Sequence, residues 1–497
     1  MPQLNRQAYP APFLPEKVLQ FGTGVLLRGL PDYLIDKANK QGLFNGSIVV
    51  VKSTDADVDA FTQQDNRYTV RVQGTDTDDK TVVTAISRVM AAQTQWAEVL
   101  TVARNPNLQI IISNTTEIGL SYVNESIFQS PPHSFPAKLT AFLYERFRNV
   151  GGAKSKGMVV IPTELVVDNG LKLRNAVETL AVHNDLGKLF TKWLKYHVRF
   201  CNSLVDRIVT AADAETMPDL GYEDTLFIST EPYHLWAIEG DDRVRQILSF
   251  VNAHPAGMII DEDINFYRER KLRVLNGGHT ITVPLAYLLG LETVFDMSQH
   301  ASMRAFLERV LFDEIVPTVP ADALGDEGPA AVRQFATDVI SRFSNPHIEH
   351  LLLNITVQQT AKMQARNVLT IQRHYETFGA VPAHMALGFA SYLRFMRVIS
   401  INEKEALGEI SVGGSVITYP IRDAQARYFY ERWQPVDAAN PASVRAFVQA
   451  VCADDALWQT DLSALPGFVD AVADALNDIF TNGPEAALRG RLASSQP

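Results

Sequence analysis

The sequence predicts an α/β protein: an N-terminal half built on a parallel sheet, followed by a C-terminal half that is mostly α-helical. Three observations carry this. Residues 17–21 (KVLQF) read as a short buried strand, followed by Gly22-Thr23-Gly24, a stretch of helical periodicity (VLLRGLPDYLIDKANKQG) and a second buried strand at 47–52 (SIVVVK). Further apolar runs at 67–73, 80–85, 108–113, 157–161 and 225–229 read as strands, with helical patterns between several of them, as at 94–104 and 136–148. After GMIIDEDIN (257–265) the pattern changes to long helical segments, broken by one β-like run at 409–419. Strand, glycine turn, helix and strand in that order open a Rossmann-type dinucleotide fold. The boundary is expected near 264, giving an NAD-binding domain at 1–263 and a helical substrate domain at 264–497.

The glycine turn supplies tight backbone and close approach, and the helix start supplies amide N–H groups for a pyrophosphate. Phe21, Gly22, Thr23, Gly24 and Arg28 are therefore candidate cofactor contacts. The pattern is only G-x-G, because Leu27 stands where a third glycine would fall, with Gly29 two residues on. The second strand ends in Lys52-Ser53-Thr54 with Asp55 next. An acid there binds ribose hydroxyls, whereas Lys52 and Ser53 suit a 2′-phosphate, so local chemistry leaves NAD and NADP both open.

Loops after strand carboxyl ends line the ligand crevice of such sheets. Ser113-Asn114-Thr115-Thr116-Glu117 is one, and Asn114, Thr115 and Glu117 suit a nicotinamide ribose or carboxamide; an ordinary polar loop with a helix cap is the alternative. Pro162-Thr163-Glu164 follows its strand in the same way. Asp206 and Arg207 lie in an apolar segment and could pair with each other or with neighbours. Glu231 to Trp236 (EPYHLW) reads as a lid or pocket wall, with Trp236 in the core.

Composition bounds the rest. A chain of 497 residues exceeds one ordinary core. Its net charge of −11 disfavours nucleic acid as a partner. It has no apolar run long enough to span a membrane, its start lacks a signal-peptide pattern, and its two cysteines are far apart. A cytoplasmic enzyme is expected, monomer or dimer being open.

The chemistry concentrates in KLRVLNGGH at 271–279. Lys271, Asn276 and His279 recur at K-x4-N-x2-H spacing. On an α-helix they stand at roughly 0°, 140° and 80°, so all three can look into one cleft, expected between the domains. A lysine of lowered pKa can take a proton from an alcohol, and an amide and an imidazole can hold the oxygen left behind. Arg268, three residues away, is positioned to lower that pKa. Gly277-Gly278 costs about 1 kcal/mol per glycine within a helix, which argues for close approach of another backbone or of a ligand; a turn at Asn276-Gly277 is the alternative.

Asn345-Pro346-His347-Ile348-Glu349-His350 precedes an amphipathic stretch that carries Lys362 and Arg366. Four residues apart, these two cations share a helix face and would repel unless an anion lies between them, a solvated basic face being the plainer reading. The His347/Glu349/His350 spacing is poor for a metal, and none is expected.

Together, FGTGVLLRG, SNTTE, NSLVDRI, KxxxxNxxH and FSNPHIEH…K resemble the mannitol dehydrogenase family of polyol-specific long-chain dehydrogenases, from about residue 15 to about 480. The resemblance implies a Rossmann-type domain, a helical C-terminal domain, an NAD cofactor and no metal. It implies Lys271 as the catalytic lysine, Asn276 and His279 at the reacting oxygen, and Lys362 as a substrate contact. Three positions depart from the mannitol-type pattern. Glu164 is followed by Leu165 rather than an asparagine, Asn354 replaces a polyol-binding arginine, and Arg268 replaces a carboxylate found in some members. An added cation and a lost acid fit a substrate that already carries a carboxylate. A small sugar acid is therefore expected, contacted by Lys362, Arg366, Glu164, Asp206 and Arg268.

Overall fold

A computed structural model describes residues 1–53, 57–211, 217–321, 325 and 327–494. Thr54 and Asp55 lie outside the described residues. The chain forms two compact units, Met1–Ile264 and Asn265–Pro497.

The first unit is built on six parallel strands: β1 Glu16–Phe21, β2 Ser47–Lys52, β3 Ile86–Ala91, β4 Ile110–Ser113, β5 Val159–Pro162 and β6 Arg199–Phe200. They lie in the order β3-β2-β1-β4-β5-β6, that of a doubly wound dinucleotide fold. Both faces are covered. Val18, Ile48, Val50, Ile110 and Ile112 pack on one side, and Leu19, Phe21, Val49, Val51 and Ile111 on the other. Burial on both faces is why these strands read as continuous apolar runs.

The expected strands at 67–73 and 80–85 exist, as Tyr68–Gly74 and Thr77–Val83, but not in this sheet. Gly74 pairs with Thr77, so only Thr75 and Asp76 connect them. A two-residue loop makes antiparallel neighbours, whereas a parallel crossover needs a dozen residues or more. They join Val209–Ala211 and Ile228–Thr230 in a separate sheet. The third parallel strand, β3, is concealed in the sequence by its polar residues Ser87 and Arg88. It is an edge strand, and Arg88 pairs with Glu16 at 2.9 Å. A third sheet holds Ser203–Asp206, Leu235–Glu239 and Met258–Asp261. Trp236 sits inside it, stacked on Phe250 at 5.9 Å, so the 231–236 segment runs into core strand rather than forming a pocket wall throughout.

The helix after the glycine turn runs from Val25 to Lys40 with a π-turn at Arg28–Asp32. Pro31 lies inside that turn; a proline lacks the N–H an α-ladder needs, and a π-bulge relieves the fault. The bulge also presents Gly29 to Val209. A Cβ on Gly29 would stand 2.6 Å from a Val209 methyl. Gly29 thus provides the close packing that a third glycine at position 27 would ordinarily provide.

The second unit is helix-rich, with one small sheet of Ser400–Ile401, Ala406–Val412 and Ser415–Pro420. Its central helix is continuous from Asn265 to Leu288, but Lys271–Gly277 is a π-turn. Gln359–Met363 likewise passes into a π-turn at Gln364–Val368. No described helix is long and apolar enough to cross a membrane.

Candidate active site

The site residues fall into two groups, one on each unit. On the first unit, Gly22 follows β1 at φ 125°, where a Cβ would stand 2.8 Å from Leu27 and 3.1 Å from the Asn114 carbonyl. Only glycine fits this turn. Gly24 caps the following helix with open space where its Cβ would be and no side chain on the first N–H groups. This is a cradle that fits an anionic diphosphate at a helix start. Thr23 and Arg28 act within the protein: the Arg28 guanidinium is buried and donates through Nε to the Thr23 carbonyl at 3.3 Å and through Nη1 to the Leu226 carbonyl. Phe21 is buried against Phe135 at 5.1 Å.

Beneath the turn lies a buried polar cluster. Gln20 donates to the Gly22 carbonyl at 3.2 Å and to Asp32 Oδ2 at 3.3 Å, while the Tyr68 hydroxyl donates to the Arg28 carbonyl at 2.8 Å. Burial, the largest cause, pushes the Asp32 carboxyl up to about 7 against the opposing pull of Gln20 and Arg28.

The loops after β4 and β5 are knitted together. Asn114 donates to the Thr163 carbonyl at 3.1 Å and its hydroxyl at 3.0 Å. Thr115 donates to Glu164 Oε1 through its backbone N–H at 2.8 Å and its hydroxyl at 3.0 Å, and Ser113 donates to Oε2 at 3.2 Å. Glu164 is buried, and burial raises its pKa against these hydrogen bonds. It therefore buttresses the 113–115 loop. Glu117 opens a short 3-10 turn, Glu117–Leu120; its side chain lies outside the described part of the structure. Lys52 ends β2 with Nζ donating to the Asp57 carbonyl at 2.6 Å. Asp206 is buried at the end of its strand, and Arg207 donates to the carbonyls of Gly29 at 2.6 Å and Glu231 at 3.0 Å.

On the second unit the π-turn changes the geometry that an α-helix would give. Its i→i+5 register narrows the angle between Lys271 and Asn276 from the wide value that 3.6 residues per turn would set. The two glycines that follow admit close neighbours: the space beside Gly277 faces the Asn367 amide and the Arg366 carbonyl, and that beside Gly278 faces Leu311. The approach is therefore that of another helical segment. Asn367 donates to the Gly277 carbonyl at 3.0 Å, and Arg273 holds the carbonyls of Ala365 and Arg366 at 2.9 and 3.0 Å. Arg366 donates to the Thr280 hydroxyl at 3.0 Å, which in turn donates to the Asn276 carbonyl at 2.8 Å.

His279 is the focus of the basic groups. Its ring lies flat on Phe343, with centroids 4.0 Å apart and planes 6° apart, and meets His350 edge-on at 5.5 Å and 87°. Its Nε2 is shut from solvent and has no hydrogen-bond partner among the described residues. Burial first, then His350, Arg342, Arg366 and Lys362, hold its pKa well below the ordinary imidazole value, so the ring is neutral at working pH. Lys362 donates to the Ile355 carbonyl at 2.7 Å; burial and Arg366 lower its pKa, with Asp423 opposing. Lys362 stands in the helix Gln359–Met363 and Arg366 in the π-turn that continues it, and both lower the His279 pKa. Arg268 is turned to Asn265, donating to its Oδ1 at 2.6 Å. No group of metal-ligating side chains occurs among the described residues.

A neutral imidazole with an unmet hydrogen-bonding atom, ringed by basic groups, is equipped to hold a polar, anionic small molecule. Sequence reasoning misses Phe343, Arg342 and His350 as parts of this centre. The FSNPHIEH segment contributes to the family resemblance and raises the question of a metal, but nothing local in it points to His279.

Comparison with known proteins identifies the family. Residues 16–249 match the mannitol dehydrogenase Rossmann domain, and residues 263–480 match the mannitol dehydrogenase C-terminal domain. The chain is 35% identical to an altronate oxidoreductase of Pectobacterium carotovorum, covering 99% of this chain and 100% of the relative. It is 34% identical to that of Bacillus subtilis, covering 98% of each. Among solved structures, it is similar to Pseudomonas fluorescens mannitol 2-dehydrogenase in ternary complex with NAD and D-mannitol, with TM-score 0.69, 21% identity and 99% and 100% of the two chains covered. It is also similar to a D-sorbitol dehydrogenase in substrate-free form, with TM-score 0.75, 20% identity and 98% and 100% covered. The chain belongs to the mannitol dehydrogenase family and is an oxidoreductase acting on CH–OH groups.

Proposed function

We propose that this enzyme interconverts D-tagaturonate and D-altronate with NAD(H), using Lys271 as the general acid and base. The observation that carries the reading is the neutral His279, its Nε2 unpartnered among the described residues, in a ring of basic groups beside the Lys271–Asn276 π-turn. The names of the full-length relatives support a sugar acid as substrate.

The nicotinamide, when bound, supplies the hydride for reduction or accepts it for oxidation. Gly22 allows the tight turn and Gly24 leaves open space for the diphosphate, and Asn114 and Thr115 are held by Thr163 and Glu164 at the strand ends. The Lys52 ammonium is engaged by a backbone carbonyl, which favours NAD over NADP. In reduction, the Lys271 ammonium gives its proton to the ketone oxygen; in oxidation, the neutral amine takes it back. Asn276 and neutral His279 donate hydrogen bonds to that oxygen as charge develops on it. Lys362 and Arg366 hold the substrate carboxylate.

The test is oxidation of NADH and NADPH with tagaturonate, fructuronate, fructose and xylulose. Tagaturonate with NADH should give the highest kcat/KM. Preference for fructuronate would make the enzyme a mannonate oxidoreductase, preference for fructose or xylulose a polyol dehydrogenase, and no turnover a dinucleotide-binding protein without this catalysis.

A further inference from the structure

The segment from Phe343 to His350 carries none of the residues assigned above to cofactor binding or proton transfer, yet it bends sharply beside His279. Helix Gly328–Phe343 ends at Ser344, and Asn345 is buried. The Asn345 Oδ1 accepts the His347 N–H at 3.1 Å, and its backbone N–H donates to the Arg342 carbonyl at 3.2 Å. Pro346 follows and cannot continue the helix. The chain then extends to His350, whose carbonyl accepts the Val294 N–H at 3.0 Å. This fold-back delivers two rings to one imidazole. Phe343 lies flat against His279 at 4.0 Å, and His350 closes the edge at 5.5 Å.

An imidazole whose buried nitrogen lacks a hydrogen bond depends on packing for its orientation. Histidine χ2 is a broad torsion. In most sites a carboxylate or carbonyl on the second nitrogen sets ring angle and tautomer. The His279 Nε2 has no such partner among the described residues. The flat contact on Phe343 restricts rotation of the ring plane, and the perpendicular His350 ring restricts its swing.

We propose that Phe343 is a positioning residue for His279, with His350 as the second wall, so that aromatic packing orients the imidazole toward the reacting oxygen. The inference rests on the reading that His279 binds that oxygen. Phe343→Leu keeps an apolar side chain but removes the flat ring surface, and Phe343→Tyr keeps the ring.

The experiment compares purified wild type, Phe343→Leu, Phe343→Tyr, His279→Ala and the Phe343→Leu/His279→Ala double variant, each rate being normalised to the NADH-binding fraction. Phe343→Leu should lower kcat about 10-fold or more with less change in KM, as expected of a group acting in the transition state. Phe343→Tyr should stay within about 3-fold of wild type, and the double variant should be no more than about 2-fold slower than His279→Ala, because the ring acts only through His279. Multiplying losses in the double variant, or a Phe343→Leu kcat near wild type, would overturn the positioning role while leaving the reaction assignment intact. If His279→Ala were fully active, or if wild type reduced none of tagaturonate, fructuronate and fructose, the functional reading would fall and this role with it. If Phe343→Leu did not fold, His350→Ala would take its place in the same cycle, where losses confined to the His279 pathway support the proposal and independent losses overturn it.

Discussion

Asn367 donates to the carbonyl of Gly277 at 3.0 Å and so ties the π-turn carrying Arg366 to the π-turn carrying Lys271 and Asn276. Both partners are buried. Removing the amide deletes one buried hydrogen bond between the two turns, which typically contributes about 0.5–1.5 kcal/mol. Asn367→Ala should therefore lower the denaturation free energy by that order and reduce kcat without any substrate contact being lost. Urea unfolding beside steady-state rates checks both, and an unchanged midpoint would show that the tie is dispensable.

Lys271→Ala should lower turnover by about 10²–10⁴, the range for a general acid–base group, while NADH still binds. Rates and NADH fluorescence titration on the same preparation separate the two. Turnover close to wild type would remove Lys271 from the proton transfer.

Lys362→Met should weaken tagaturonate reduction sharply and fructose reduction much less. A charge-assisted hydrogen bond to a carboxylate contributes roughly 1.5–3 kcal/mol, so the kcat/KM ratio of acid to neutral ketose should fall by about one to two decades. Equal losses on both substrates would mean that Lys362 does not read the carboxylate.

Asp32 gives a pH dependence of stability. Burial lifts its carboxyl from 3.8 to about 7, so the folded chain keeps a proton that the unfolded chain releases. That contribution is fully present below the unfolded value and is lost as pH rises through the folded one. Wild type should thus lose stability relative to Asp32→Asn between about pH 4 and pH 7, by at most roughly 1.4 kcal/mol for each pH unit crossed. Urea midpoints at about pH 5 and pH 8 for both proteins test it; parallel changes would place the Asp32 carboxyl in its ordinary range.

Gly29→Ala should destabilise the first unit, because its new methyl would stand 2.6 Å from Val209. Overpacking of this kind costs about 1–3 kcal/mol. Val209→Ala added to it should recover most of the loss. An additive double variant would show that Gly29 is required for some other reason.

What the sequence determined alone was whatever depends on short-range pattern. Continuous apolar runs at 17–21, 47–52 and 108–113 are strands buried on both faces, and that burial is the reason no polar alternation marks them. The glycine turn at 22–24 and the change of pattern near 264 were legible for the same reason. Lys271, Asn276 and His279 were candidates from the sequence because all three lie within nine consecutive residues.

The tertiary structure decided what depends on partners far away in sequence. Tyr68–Gly74 and Thr77–Val83 have ordinary strand patterns, and pairing with Ile228–Thr230 and Val209–Ala211, not pattern, assigns them to a second sheet. The π-turns at 28–32, 271–277 and 364–368 carry no distinct periodicity over so few residues; packing selects them, as Gly29 against Val209 and Gly277 beside Asn367 illustrate. The setting of His279 is the clearest case. Phe343 lies 64 positions away and Lys362 lies 83 away, so only the fold could bring an aromatic face and the basic groups to one imidazole.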